Sequence, residues 1–455
     1  MELWKRSDSM GTDKVTINRL RTFAWVTFVI LTSGYFFVYF QRISVGVVGE
    51  GIVAEVGGSL GLLSSVYYWT YTAMQIPSGI LADRIGPRIA STVFLAIAAI
   101  GSFLTFAGNS FTAVVVGKVM IAAGMAVVYI PLMKLISVWF PTRDFAVLTG
   151  IVIAVGNIGA VAATGPLQLL ADALGWREVY LVLGIVTLVL AVLCFTVVRD
   201  HPHGRSLPSV EELEHDIDGR AVTEDSSARV PVLTGLRIVF SGGRRFWTCA
   251  LAYFLVYGSI MTFQGTWAVT YFDNVYGFAL SASWMVTALG IGKILSTVAI
   301  GAMTTRGIIR SKRRAMIWGT LAYALTWLTI FMLSGRLDSY WFWFGISFAF
   351  GFFGGFMTLS FTQIKEWYPI AVSGTAVSGA NIFLFLGASV CTTVSGAIVG
   401  TSYTLENFSE LWGLMTLFAF VAVALLVLSV EKRPEDPPVG LDEVEAAMSG
   451  RQVPD

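Results

Sequence analysis

Three basic side chains stand inside long apolar stretches of this sequence, where charge is rare. Arg42 is followed by the uncharged residues 43–48, most of them apolar, and Lys118 and Lys293 lie within two later apolar stretches. A cation at that depth costs a few kcal/mol or more, so it normally faces a protein interior or a water-filled cavity. No Asp or Glu lies deep in any of these stretches. The pattern therefore predicts a site for a small organic anion, either a carboxylate, a sulfonate or a phosphate ester.

Aromatic and amide side chains share helix faces with these cations. Tyr35, Tyr39 and Arg42 follow one another at spacings of four and three, which places them on one face of a helix. We predict that Arg42 is the main charge contact of the substrate, although an arginine paired internally for structure is the alternative. The other predicted substrate contacts are Lys118 and Lys293 as auxiliary cations, with Tyr35, Tyr39, Tyr71, Tyr129, Tyr257, Gln264 and Asn381 around them.

The elements that carry these residues are membrane helices. The chain is 55% hydrophobic and 13% charged, with a mean hydropathy of +0.73, which is too apolar for a soluble globular protein of this length. A bilayer core about 30 Å thick needs roughly 20 apolar residues per helix. Twelve such segments are predicted near residues 22–48, 60–82, 89–108, 111–138, 145–170, 176–198, 246–272, 280–303, 315–334, 340–366, 371–399 and 408–430.

A charged loop between the second and third segments recurs in the other half of the chain. Its predicted gating residues are Gly79, Asp83, Arg84, Gly86 and Arg88, and Gly301, Arg306 and Arg310 stand at the corresponding junction later. A chain that repeats one loop at half its length contains two copies of one bundle. The predicted fold is therefore an all-α membrane protein with twelve transmembrane helices in two pseudo-symmetric six-helix bundles.

The loop resembles the signature between helices 2 and 3 of the major facilitator superfamily, and the resemblance covers roughly residues 20–430. The matching residues are Gly79, Leu81, Asp83, Arg84, Gly86 and Arg88. The resemblance implies alternating access, in which the two halves rock about a central site. It also implies that Asp83 helps to hold a cytoplasmic gate shut, near the start of helix 11 at Ala371. A loop that only fixes the turn is the alternative.

Arg42 also resembles the helix-1 arginine of two organic-anion branches of that superfamily, the anion:cation symporters and the sugar-phosphate exchangers. In many of the former an aspartate precedes the arginine, but Gln41 stands here. The latter use a second arginine on helix 7, where this chain has Gly265. The resemblance therefore implies anion transport, while the coupled proton, sodium ion or counter-anion stays open. Glu50 and Glu366 are the carboxylates nearest the membrane, and we expect each to be a loop or gating residue.

Lys and Arg concentrate in alternate loops, which predicts a multi-pass protein of the plasma (inner) membrane with both termini cytoplasmic. The predicted domains are a tail over 1–21, a bundle over 22–198, a cytoplasmic linker over 199–245, a bundle over 246–430 and a tail over 431–455. We expect a monomer in the lipid bilayer that binds no nucleic acid.

The sequence gives no support to catalysis. The cysteines Cys194, Cys249 and Cys391 fall inside separate predicted helices, which favours packing over a disulfide or metal site, and all histidines lie in the 199–245 linker. No Ser/His/Asp, Cys/His or metal-ligand set can be assembled within the membrane, so we predict neither an enzyme nor a cofactor. The alternative functions are a drug or metabolite exporter, which would need acids in its cavity, and a membrane sensor that binds the same ligand without flux.

Overall fold

The computed structural model of the chain describes residues 14–205, 207–208, 210, 232–432 and 435–448. Every regular element in these residues is helical, which confirms the predicted all-α class. Eleven helices in this part of the chain are long and apolar enough to cross a membrane. The remaining predicted segment, 60–82, forms two shorter helices, Leu60–Ala73 and Gln75–Arg84, instead of one.

The described residues of the first half of the chain form nine α-helices. They are α1 Lys14–Val56, α2 Leu60–Ala73, α3 Gln75–Arg84, α4 Pro87–Ala107, α5 Phe111–Val127, α6 Tyr129–Trp139, α7 Phe145–Ala162, α8 Gly165–Leu174 and α9 Trp176–Val197. Helix α1 is longer than predicted at both ends. Glu50 therefore lies near the end of this helix, and Glu366 lies in the helix Leu359–Trp367, so neither carboxylate is in a loop. A gating role for either residue stays a prediction.

Ten α-helices and one π-helical turn lie in the part of the second half that the structure describes. They are α10 Val232–Phe240, α11 Arg244–Thr262, the π-helical turn Phe263–Trp267, α12 Ala268–Tyr276, α13 Ala282–Thr305, α14 Lys312–Leu333, α15 Tyr340–Gly354, α16 Leu359–Trp367, α17 Ile370–Val399, α18 Leu405–Leu428 and α19 Leu441–Met448. Helix α10 falls in the predicted 199–245 linker, and α19 falls in the predicted tail.

Prolines explain where several membrane segments break. A proline ring clashes with the carbonyl four residues before it and supplies no N–H, so a helix is interrupted about one turn upstream. Pro77 follows the junction of α2 and α3, Pro131 that of α5 and α6, and Pro166 that of α7 and α8. At the first junction Met74 has ψ −6°, away from regular helix, and its carbonyl still accepts the N–H of Ser78 at 2.9 Å.

The contacts group the chain into two compact units. Unit 1 comprises Met1–Arg42, Glu55–Gly57 and Ala73–Ser226, and unit 2 comprises Ile43–Ala54, Gly58–Thr72 and Ser227–Asp455. In unit 1, α4 packs against both α5 and α9; in unit 2, α11 packs against α17, α13 against α15, and α14 against α18. The bundle boundaries inferred from the sequence, 22–198 and 246–430, remain predictions.

Helix α10 docks on the end of unit 2 from which α11 begins. Its residues Leu236, Val239 and Phe240 lie within van der Waals distance of the space beside Gly379 on α17. The hydroxyl of Tyr368, between α16 and α17, donates to the Val239 carbonyl at 2.7 Å, and burial raises the pKa of this phenol. Part of the predicted linker is thus a packed surface helix.

Candidate functional site

Arg42 lies in a group of tyrosines within unit 1. Its side chain is only 5% exposed, and its guanidinium carbon lies 4.6 Å from the ring centroid of Tyr39. The ring of Tyr35 lies 5.2 Å from those of both Tyr39 and Tyr129, and the Tyr35 hydroxyl donates to that of Tyr39 at 3.5 Å. We call these four residues the Arg42 cluster. Its members are all predicted substrate contacts, and the structure brings them together.

The geometry of the cluster follows from the elements that carry it. Tyr35, Tyr39 and Arg42 share one face of α1, as their spacing predicts. Tyr129 is the first residue of α6, directly after the break that Pro131 causes, and its ring contacts that of Tyr35. An arginine beside aromatic faces keeps its charge and can bind an oxyanion through two N–H groups at once.

Gly156 on α7 closes one side of the Arg42 cluster. A Cβ atom at this position would lie 3.0 Å from Cε1 of Tyr35 and 3.0 Å from Cδ2 of Tyr39, closer than ordinary contacts. The absence of a side chain therefore lets α7 approach the tyrosine pair. Gly156 was not among the predicted contacts, although the sequence Gly156-Asn157-Ile158-Gly159 marks it as a position of close packing.

A second cation lies among aromatic rings in unit 2. The Lys293 ammonium on α13 lies 5.7 Å from the ring centroid of Tyr257 on α11. Tyr257 contacts Phe385 on α17 at 5.8 Å between centroids, and Phe385 contacts Tyr71 on α2 at 4.4 Å. We call these four residues the Lys293 cluster. Three of them were predicted from the sequence, and Phe385 was missed.

The other polar residues predicted as substrate contacts in unit 2, Gln264 and Asn381, lie on different helical elements. Gln264 is 3% exposed and lies in the π-helical turn between α11 and α12, a type of turn frequent at functional sites. Asn381 lies on α17, one turn before Phe385, so both residues lie on the same side of that helix. That spacing of four is the signal that could have identified Phe385 from the sequence.

Lys118 is placed differently from the other two cations. Its side chain is 0% exposed, and its ammonium donates a hydrogen bond to the Tyr180 hydroxyl on α9. The ammonium also lies 4.4 Å from the centroid of the same ring. Tyr180 was not predicted as a partner, because nothing in the spacing of two residues on separate helices reveals that they meet.

The buried charge in the described residues is entirely positive. Arg42 and Lys118 are the buried charged side chains there, and every described Asp and Glu side chain is more exposed than these two. No group of His, Cys, Asp or Glu that could hold a metal ion occurs in the same part of the chain. The interior therefore favours negatively charged ligands.

The predicted gating loop is anchored within unit 1. Gly86 adopts φ 81°, a conformation that favours glycine, and starts α4. The backbone N–H of Arg88 donates to the Asp200 carboxylate at 2.7 Å, and its guanidinium donates to the Phe195 carbonyl at 2.6 Å. The sequence did not point to Asp200, which lies just after α9 and caps the positive end of α4.

The other predicted gating residues make fewer contacts among the described residues. Arg84 is exposed at the end of α3, and a Cβ at Gly79 would meet only Ile130, at 3.8 Å. The side chain of Asp83 lies outside the described part of the chain. A gating role for these five residues stays a prediction.

The fold and the two clusters together define an all-helical membrane protein with cationic, aromatic-lined sites. The sequence profile of the Major Facilitator Superfamily matches residues 31–306 and 279–452. The chain belongs to this superfamily of transporters, and it is a multi-pass membrane protein and not an enzyme.

Individual relatives agree with this assignment. The chain is 26% identical to the probable sulfoacetate transporter SauU of Cupriavidus necator, over 82% of this chain and 85% of the relative. It is 23% identical to a probable hexose phosphate transport protein of Chlamydia pneumoniae, over 88% and 89%. It is 22% identical to the probable galactarate/D-glucarate transporter GarP of Escherichia coli, over 87% and 92%.

Solved structures show the same fold. A bacterial homolog of the human lysosomal transporter Spinster, inward-facing and unoccupied, aligns with TM-score 0.68 and 16% identity, covering 95% of this chain and 99% of the other. A D-xylose-proton symporter aligns with TM-score 0.67 and 13% identity, covering 90% and 98%.

Proposed function

We propose that this protein is a secondary transporter that moves a small organic anion, a carboxylate, sulfonate or phosphate ester, across the membrane by alternating access. The observation that carries the proposal is Arg42, 5% exposed and set against a tyrosine ring at 4.6 Å. A positive charge held this far from water costs free energy, and an anionic substrate offsets that cost.

The names of the relatives support the same chemistry. Sulfoacetate carries a sulfonate and a carboxylate, hexose phosphates carry a phosphate ester, and galactarate and glucarate carry carboxylates. These groups differ in geometry and share negatively charged oxygens. A guanidinium binds each of them through paired N–H donors.

The residues have distinct proposed roles. Arg42 binds the anionic group, and Tyr35, Tyr39 and Tyr129 supply ring faces and hydroxyls for the rest of the substrate. Lys293, with Tyr257 and Tyr71, forms a second cationic contact in unit 2. Gln264 and Asn381 are proposed hydrogen-bonding selectors, Lys118 an auxiliary cation, and Asp83, Arg84 and Arg88 gating residues. Both termini are proposed to be cytoplasmic.

Thermal stability of the purified full chain tests the proposal. The ligands are sulfoacetate, D-glucarate, glucose 6-phosphate and, as a lipophilic cation, tetraphenylphosphonium. A ligand present at 100 times its dissociation constant stabilises the fold by about 2.7 kcal/mol. We expect one class of anion to raise the melting temperature of the parent, and Arg42→Gln to bind it about 10- to 100-fold more weakly, since a hydrogen bond to a charged group contributes about 1.5–3 kcal/mol.

Two variants serve as controls. Arg336→Gln removes an exposed arginine and should leave the ligand-induced shift unchanged. Arg42→Lys keeps the charge without the paired donors, so it should recover part of the affinity. Equal stabilisation of parent and Arg42→Gln by tetraphenylphosphonium, with no response to any anion, would point to an exporter. Anion binding without flux into proteoliposomes would point to a sensor.

A further inference from the structure

A cavity of about 630 Å³ lies in unit 2, where α14 begins and α18 ends. It is lined by four cationic side chains and two carboxylates: Arg310, Arg313, Arg314, Lys432, Glu431 and Asp436. The cations outnumber the acids by two. No residue that lines this cavity belongs to the Arg42 or Lys293 cluster, and the proposed transport function does not use it.

Two of its four cations are already engaged by backbone. Arg313 donates to the carbonyl of Val427 in the last turn of α18, and the Lys432 ammonium donates to the Glu366 carbonyl at 2.7 Å. One of the acids is engaged as well, because the Ser311 hydroxyl donates to the Glu431 carboxylate at 2.5 Å. These contacts fix the walls of the cavity.

The side chains of Arg310 and Arg314 make no such hydrogen bonds with described residues. Both are exposed, and no residue in the described part of the chain forms a hydrogen bond or ion pair with either guanidinium. Arg310 precedes α14 and Arg314 lies in its first turn, where the Ser311 hydroxyl caps the Arg314 N–H. The positive dipole end of this helix favours an anion. Two guanidiniums and a helix start around one cavity match the charge and the several acceptor oxygens of a phosphate group.

The position of the cavity suggests where such a phosphate would come from. Helices α14 and α18 are both long and apolar enough to cross a membrane, so their ends lie at the level of the lipid headgroups. Basic pockets at that level attract anionic lipids. We propose that this cavity binds a phosphate group, supplied by an anionic phospholipid headgroup or by free phosphate.

The test measures thermal stability of the purified full chain in detergent against three probes. Dioctanoyl phosphatidic acid carries the phosphate on a lipid, dioctanoylglycerol is the same lipid without phosphate, and inorganic phosphate lacks the lipid. The experiment is run in the Arg42→Gln background, so that the proposed substrate site does not contribute. We expect phosphatidic acid to stabilise the protein and dioctanoylglycerol not to.

The variant is the double substitution Arg310→Gln and Arg314→Gln, and the matched control is Arg306→Gln, an exposed arginine of the same loop that does not line the cavity. An arginine near the membrane surface contributes about fivefold to the binding of an anionic lipid, so the double variant should bind phosphatidic acid about 25-fold more weakly. The control should bind like the parent.

The outcomes separate the possible sources. A phosphatidic acid response lost in the double variant alone supports a lipid site. An equal response to inorganic phosphate with the same dependence on both arginines supports the phosphate site and excludes the lipid as its source. Unchanged binding in the double variant, an equal loss in Arg306→Gln, or equal stabilisation by dioctanoylglycerol overturns the proposal.

Discussion

Selectivity at the residue scale depends on how the tyrosines beside Arg42 are held. Tyr35 contacts Tyr39 and Tyr129, and Tyr39 contacts the Arg42 guanidinium. A shift of one ring therefore displaces its neighbours in this group. Gly156 borders this group from α7. The missing side chain at Gly156 therefore determines how closely α7 approaches the tyrosines of the proposed anion site, although the glycine itself supplies no binding group.

We predict that Gly156→Ala weakens anion binding. The added methyl would lie 3.0 Å from ring atoms of both Tyr35 and Tyr39, so the rings must move by a few tenths of an ångström. Overpacking of this kind costs about 1–3 kcal/mol of stability. The displaced tyrosine hydroxyls fit the anion less well, and the loss of one hydrogen bond that contributes about 1 kcal/mol lowers the affinity about fivefold. The affinity is read from thermal shifts with the anion that stabilises the parent.

The matched control lies on the same helix. Gly150 of α7 has nothing within 4 Å of the space a Cβ would occupy, so Gly150→Ala should bind the anion like the parent. If Gly156→Ala and Gly150→Ala bind equally well, the tyrosine pair does not contact the substrate, and the assignment of Tyr35 and Tyr39 has to be withdrawn.

Sequence reasoning succeeded for residues on one helix and failed across helices. The spacing of Tyr35, Tyr39 and Arg42 is enough to place them on one face of α1, and the structure confirms that they meet. The contact of Lys118 with Tyr180 joins α5 to α9, and that of Arg88 with Asp200 joins the start of α4 to the end of α9. Such pairs depend on tertiary packing, which one sequence does not disclose.

At the scale of elements, small residues decide which helices touch. In unit 2, α2 lies against α17: the Trp69 indole donates to Thr393 Oγ1 at 3.0 Å, and the hydroxyls of Thr72 and Ser389 are 3.0 Å apart. Gly61 and Gly396 face each other in the same contact, and a Cβ on Gly61 would collide with the Gly396 backbone. In a membrane, where lipid is as apolar as leucine, such close packing holds helices together.

We predict that Gly61→Ala destabilises the protein by about 1–3 kcal/mol, since the added methyl collides with the Gly396 backbone and pushes α2 away from α17. The measurement is the thermal unfolding of the purified variant without ligand. Gly374→Ala on α17 is the control, because nothing lies within 4 Å of its Cβ position, and it should lose no stability. Equal melting of the two variants would show that this helix contact contributes little.

The breaks within helices were partly predictable. Pro77, Pro131 and Pro166 are visible in the sequence, and the rule that a proline interrupts the preceding turn locates the breaks near Met74, Val128 and Thr164. The apolar stretch 60–82 nevertheless predicts a single helix. Its apolar composition is continuous across the break, and apolar composition alone does not register backbone geometry.

At the scale of the whole molecule, composition was sufficient to predict the fold class. A chain this apolar is typical of a membrane protein, and only helices or closed barrels can span a membrane. The grouping of Ile43–Ala54 and Gly58–Thr72 with the second unit was not predictable. It depends on close contacts such as that of Gly61 with Gly396, and neither glycine differs in the sequence from many others.

The sign of the buried charge leads to a prediction about energetics. Among the described residues the fully buried charged side chains are cations, and the carboxylate of Glu50 on α1 is half-buried. We therefore expect the substrate to cross without a proton carried on a fully buried carboxylate. An anion that crosses the membrane unaccompanied carries its charge with it. Moving one charge through 100 mV changes its free energy by about 2.3 kcal/mol, which corresponds to about a 50-fold ratio of concentrations.

We therefore expect net uptake of a monovalent anion into proteoliposomes to depend on the membrane potential. A potassium gradient with valinomycin that makes the interior positive by about 100 mV should raise accumulation up to about 50-fold, and the reverse gradient should suppress it. Exchange of equal anions on the two sides moves no net charge, so it should proceed at the same rate under either potential and serves as the control. Accumulation that ignores the potential and follows a pH gradient would contradict this expectation, because a proton would then travel with each anion.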